Sequence, residues 1–140
     1  YTLQSNESQS VSLREEMEFA SAYIFLLKMR FENNLQFDIQ IAKSFEDYRL
    51  PPMAVQVLIE NAVKHNEISD RKPLTIHIVT NNEGYLSVSN DIQPKRTAAS
   101  GTGIGLVNLA KRYRLLFKQD IQITEDKEFS VCIPLIDEVQ

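Results

Sequence analysis

An amide, an ammonium and an imidazole fall close together at Asn61, Lys64 and His65. In the segment 53–65 the apolar Val55, Leu58, Ile59 and Ala62 recur at helical spacing and form a core stripe. At about 100° per residue, Asn61 and His65 then lie along one margin of that stripe, Lys64 stands beside them and Glu60 points roughly away from the core. Such an edge could hold a metal-bound polyphosphate, with asparagine as a neutral oxygen ligand and lysine as a mobile positive charge. The same residues also fit a solvated flank carrying a Glu60–Lys64 ion pair, with His65 as an ordinary surface histidine.

Glycine gives a second cluster. The chain has only four glycines, and three of them stand in Gly101-Thr102-Gly103-Ile104-Gly105-Leu106. This run follows a loop over 91–103 and opens a helix predicted from about Ile104 to Phe117, so bare backbone amides and the positive end of a helix dipole converge there. Without side chains, phosphate oxygens could approach that backbone. The run lacks the Gly-Lys-Ser/Thr ending of a P-loop, and no strand leads directly into it as a dinucleotide fold requires. A glycine-rich hinge is the alternative. Lys95 and Arg96 lie upstream in the same loop and could meet phosphate charge or serve solubility. Asn90 closes the inward row Leu86, Val88, Asn90 of a predicted strand, where a polar side chain needs a partner. It could recognise a ligand or cap the strand's exit.

These groups need elements to position them. Ser12-Leu13-Arg14-Glu15 has the form of a capping box. Leu13, Met17, Ala20, Ile24, Leu27 and Phe31 then predict one apolar stripe along a helix, which could pack on a sheet or end a coiled coil. Leu35 to Ile41 alternates strictly and predicts a half-buried strand. Pro51 and Pro52 predict the opening of the helix that carries Asn61. Two hairpins follow: Leu74–Val79 with Tyr85–Asn90 about the Asn81-Asn82-Glu83-Gly84 turn, and Ile121–Thr124 with Phe129–Ile133. Mostly sequential strand pairs with helices between them predict an α+β, two-layer sandwich.

Bulk properties bound the function. A chain of 140 residues, 43% hydrophobic, makes one globular domain, read as a polar leader over 1–12 and a domain over 13–140. The net charge of −4 argues against a duplex nucleic-acid binder. Cys132, the only cysteine, excludes an internal disulfide framework and a cysteine metal cluster. No apolar run approaches the roughly 18 residues of a membrane span, and the polar start does not resemble a signal peptide. Because the chain opens on Tyr1, we expect it to be a piece of something longer.

Ile59-Glu60-Asn61-Ala62-Val63-Lys64-His65, followed by Gly101-Thr102-Gly103-Ile104-Gly105-Leu106-Val107-Asn108-Leu109, resembles the ATP-binding catalytic domain of sensor histidine kinases. That domain belongs to the superfamily shared with gyrase, the large heat-shock chaperones and MutL. The Lyt-type branch is the nearest likeness, Leu13 to Phe31 being similar to its preceding helical segment and Leu50-Pro51-Pro52-Met53 to the lead-in of its asparagine-box helix. The resemblance implies a Bergerat-type fold, a mixed sheet packed against helices, and ATP with Mg²⁺ as ligands. It implies that Asn61 binds the Mg²⁺ bridging the phosphates and that Lys64 and His65 line the pocket. It further implies that Gly103 and Gly105 present amides to the triphosphate, within a site that includes Gly101, Thr102, Ile104, Leu106, Lys95 and Arg96. Residues 91–103 correspond to a mobile lid, and Asn90 to the aspartate that reads the adenine amino group. Here the sequence departs from the family, whose Asp-x-Gly is replaced by Asn90-Asp91-Ile92; an asparagine oxygen still accepts that hydrogen bond, uncharged and with Asp91 beside it.

The implied activity is transfer of the γ-phosphate to a histidine on an upstream dimerisation domain, then to a response regulator, by a homodimeric, membrane-anchored protein with this part cytoplasmic. Neither His65, in the nucleotide helix, nor His77, in a strand, fits the acceptor. A degenerate, non-catalytic module of the same fold is the alternative. An ATPase of the gyrase or chaperone type is disfavoured, because the position one turn before Asn61 is Val57 and not glutamate.

Overall fold

The computed structural model describes residues 10–95 and 104–137. Helix α1 (Leu13–Phe31) starts where the capping box predicts: Ser12 Oγ accepts the Glu15 amide at 3.1 Å, and the Glu15 carboxylate accepts the Ser12 amide at 3.1 Å. Acidic Glu15 and Glu16 occupy its first turn and Lys28 and Arg30 its last, as the helix dipole favours. Leu13, Ala20, Ile24 and Leu27 are buried, with Met17 and Phe31 packed at the margin of the core. Helices α2 (Ala54–His65) and α3 (Ile104–Phe117) complete one layer.

The other layer is a five-stranded sheet of β2 (Leu35–Gln40), β4 (Leu74–Thr80), β5 (Tyr85–Asp91), β7 (Glu128–Pro134) and β6 (Gln122–Glu125), in the order β2-β4-β5-β7-β6. A two-stranded ribbon of β1 (Val11–Ser12) and β3 (Arg49–Leu50) stands apart from it. The sandwich is therefore α+β, with a mixed sheet on helices. Its pairing is less sequential than the hairpin pattern suggests. Only β4–β5 and β6–β7 are neighbours in sequence; β5 pairs with β7 across α3, and β2 runs parallel to β4, joined by a crossover through α2. Parallel neighbours need such a long connection, usually a helix.

Period-two alternation decides which face is buried. Leu74, Ile76 and Ile78 of β4, Leu86 and Val88 of β5, and Val131 and Ile133 of β7 all point into the helices. They meet Val55, Leu58, Ile59 and Ala62 of α2 and Leu109 and Tyr113 of α3. The alternation in β2 is equally strict, yet only Leu35 is buried there and Ile39 is 42% exposed. An edge strand has one neighbour, and the helical layer does not reach its far end.

The start of α2 differs from the proline signal. Pro51 and Pro52 precede the helix, which begins at Ala54 after Met53 in the left-handed region, φ 70°. No side chain next to the helix caps it. The cap comes from α1: the Glu16 carboxylate accepts the amides of Met53 at 2.9 Å, Val55 at 2.9 Å and Gln56 at 3.4 Å. Arg112 of α3 donates to the Pro52 carbonyl at 2.7 Å. One buried carboxylate and one guanidinium thus tie all three helices to the same turn.

Candidate nucleotide site

α2 carries its polar margin along a cleft of about 1280 Å³. Val57, Glu60, Asn61, Lys64 and His65 form one wall, and the first turn of α3 (Ile104, Gly105, Leu106) forms a second. Tyr23, Leu27, Arg30 and Phe31 of α1 close a third side, and Lys95 with the 66–72 segment closes the end. The core stripe on α2 explains the exposure of this margin: burying Val55, Leu58, Ile59 and Ala62 turns the positions between them outward.

Gly105, in the first turn of α3, packs against α2: a Cβ there would lie 3.4 Å from Val57 Cγ1, at the near limit of ordinary van der Waals contact. That turn holds no acidic residue, and its dipole presents positive charge to the cleft. Burial, reinforced by Lys64 and Lys95, holds the His65 imidazole below its ordinary pKa. Among the described residues no side-chain hydrogen bond or ion pair engages Asn61, Lys64 or His65. The Glu60–Lys64 pair of the solvated-flank alternative is not formed; Glu60 stands on the cleft wall, where its charge adds to burial in raising the Tyr23 phenol pKa.

Seven of the sequence-predicted residues (Asn61, Lys64, His65, Lys95, Ile104, Gly105 and Leu106) therefore share one cleft. Arg96, Gly101, Thr102 and Gly103 lie outside the described residues, as does most of the loop over 91–103. Asn90 and Asp91 do not line the cleft. Asn90 is buried at the end of β5, and its Nδ2 donates to the Asp91 carbonyl at 2.6 Å. That bond leaves Oδ1 as the acceptor end, and no donor reaches it among the described residues.

Two positioning residues were missed by the sequence reading. Glu16 sits one position before Met17 of the apolar stripe, and nothing local marks it as buried. Asn66 follows the last residue of α2, a place where asparagine commonly ends a helix, and that signal was available. Its Nδ2 donates to the Ala62 carbonyl at 2.8 Å, and its Oδ1 accepts the Gln93 amide at 2.7 Å, tying the end of α2 to the segment after β5.

The cleft suits a metal-bound nucleotide in its donor set. Among the described residues no group of three or more His, Cys, Asp or Glu side chains could hold a metal ion by itself. A divalent cation here would draw most of its ligands from phosphate oxygens, with the Asn61 amide as a neutral protein ligand.

In sequence the chain is 34% identical over 141 residues to the sensor protein LytS of Streptococcus mutans, a match that covers 89% of this chain and 24% of that protein. It is 28% identical over 120 residues to the sensor histidine kinase BtsS of Escherichia coli K12, covering 84% of this chain and 21% of that one. The chain thus spans roughly a quarter of the length of the curated relatives it matches. Among solved structures, the nucleotide-free catalytic domain of histidine kinase ThkA superposes with a TM-score of 0.60 at 18% identity, over 91% of this chain and 99% of that one. The cytoplasmic segment of histidine kinase QseC gives 0.62 at 10% identity, over 92% and 78%. No protein-family model matches the chain.

Proposed function

We propose that this relative of the Lyt-type sensor histidine kinases, folded as histidine kinase catalytic domains are, binds MgATP in the cleft between α2 and α3. The observation that carries the reading is that Asn61 and the first turn of α3 line the same cleft. Asn61 holds the metal, Lys64 and Lys95 neutralise phosphate charge, and the amides opening α3 receive phosphate oxygens. Bound Mg²⁺ supplies charge neutralisation between the phosphates. Phosphoryl transfer asks chiefly for such positioning and charge balance, so the domain needs no nucleophile of its own. The γ-phosphate passes to a histidine on a separate, upstream dimerisation domain and from there to a response-regulator aspartate. The intact protein is a membrane-anchored homodimer with this part in the cytoplasm. Among the described residues no helix is long and apolar enough to cross a membrane, so the anchor belongs elsewhere. With Val57 one turn before Asn61, no carboxylate stands there to activate water for simple hydrolysis.

Titrating the chain with the β,γ-imido analogue of ATP plus Mg²⁺ tests this. Saturable binding is expected, weakened about tenfold or more in Asn61→Ala, in keeping with loss of one charge-bearing contact. Absence of binding at millimolar ligand, with the fold intact, overturns the reading. One observation favours a degenerate, non-catalytic module instead: Asn90 stands where the family has aspartate and does not line the cleft. Asn90→Asp separates the two. A large gain in affinity marks a decayed adenine site, and little change marks an asparagine that already serves.

A further inference from the structure

The α1 wall of the cleft carries groups to which the nucleotide reading gives no task. Arg30 stands in the last turn of α1 and lines the cleft, with its guanidinium 4.6 Å above the Phe31 ring. No carboxylate pairs with it among the described residues. Tyr23 lies two turns earlier on the same face of α1. Its phenol feels burial first, then the negative charge of Glu60 and the positive charge of Arg30, so these three groups share one corner of the cleft. Glu60 and Asn61 point about 100° apart around α2, and both line the same cleft.

Arg30 is exposed at the rim of the cleft, so its guanidinium is open to an incoming anion. Stacking on Phe31 restricts its rotamers, so less freedom is lost when it donates its paired hydrogen bonds. The negative end of the α1 dipole favours a cation at this position whether or not ligand is bound. The first turn of α3 lines the same cleft, with Gly105 beside Val57 of α2. A triphosphate held at Asn61 would therefore lie in a cleft that both the α3 amides and Arg30 line.

We propose that Arg30 binds the terminal phosphate of the nucleotide and sets the preference for triphosphate over diphosphate, with the Tyr23 hydroxyl as a second donor. The inference rests on the nucleotide reading above and adds a subsite to it. The terminal phosphate is the one group that distinguishes the two ligands, and it carries charge that a single Mg²⁺ leaves uncompensated. A planar fork of N–H donors matches phosphate oxygens in a way that the point charges of Lys64 and Lys95 do not.

Isothermal titration of wild type, Arg30→Ala and Arg30→Lys with the Mg²⁺ complexes of imido-ATP and of ADP tests it. Arg30→Ala is expected to weaken the triphosphate analogue about 10- to 50-fold and to leave ADP within about twofold, with Arg30→Lys recovering part of the loss. Equal weakening of both ligands, or no change in either, overturns the subsite while the nucleotide reading stands. If wild type binds neither ligand, that reading fails and the subsite with it. Arg30→Gln keeps the stem that covers Phe31 and carries the test should Arg30→Ala fail to fold.

Discussion

The two ends of α2 are fastened by different means. The first turn receives a charged carboxylate from Glu16, nearly forty residues upstream, and a guanidinium from Arg112 in α3. The last turn is closed by a neutral side chain next to it in sequence, Asn66, which reaches only the segment after β5. The first end therefore fixes α2 against the other two helices, and the second fixes it against the segment after β5. Between these ends Asn61, Lys64 and His65 face the cleft without side-chain partners among the described residues. The backbone is restrained where nothing binds, and the side chains are unengaged where something could.

Breaking the charged end should do the most damage. Glu16→Ala leaves the amides of Met53, Val55 and Gln56 without their acceptor in a buried place, and is expected to cost about 3–5 kcal/mol. For a domain of this size that is a melting temperature lower by roughly 10–17 °C in thermal denaturation. Glu16→Gln keeps one acceptor oxygen and should lose less. If both variants melt with wild type, the α1–α2 tie has been overvalued. Breaking the neutral end is a smaller change: Asn66→Ala should cost about 1–3 kcal/mol. Amide exchange should rise around Ala62 and Gln93 with little effect at Met53 and Val55. The smallest effect belongs to the bare margin. Because the His65 pKa is lowered in the folded state, protonation favours the unfolded chain, so stability falls as pH drops from the ordinary histidine value through the lowered one. His65→Gln should flatten the part of the stability profile that lies just below the ordinary histidine value, as read by melting at stepped pH.

Local patterns predicted the elements well because each rests on a periodicity or a cap within a few residues. The capping box at Ser12, the α3 range Ile104–Phe117 and the Gly84 turn between β4 and β5 stand where the sequence puts them. What escaped was long-range. Nothing near Glu16 announces that its carboxylate crosses to Met53, because a glutamate in the first turn of a helix normally serves that helix. Pro51 and Pro52 suggested a helix start that the left-handed Met53 moves two residues on. The parallel β2–β4 pair depends on a crossover and not on a turn motif. For the site, a wheel drawn on α2 alone placed Asn61 and His65 on a margin and turned Glu60 away. With α1 alongside, that outward position also lines the cleft.

Arg112 and Tyr113 are consecutive, and they moor α3 to two proline carbonyls, Pro52 before α2 and Pro134 at the end of β7, at 2.7 and 2.8 Å. Proline has no amide to donate, but its carbonyl still accepts, and here both are used to hold α3. The last strand is thereby coupled through α3 to the turn that opens α2, without lining the cleft. Trimming the protein back past Pro134 would slacken α3, and with it the first turn that walls the cleft at the helix's opposite end.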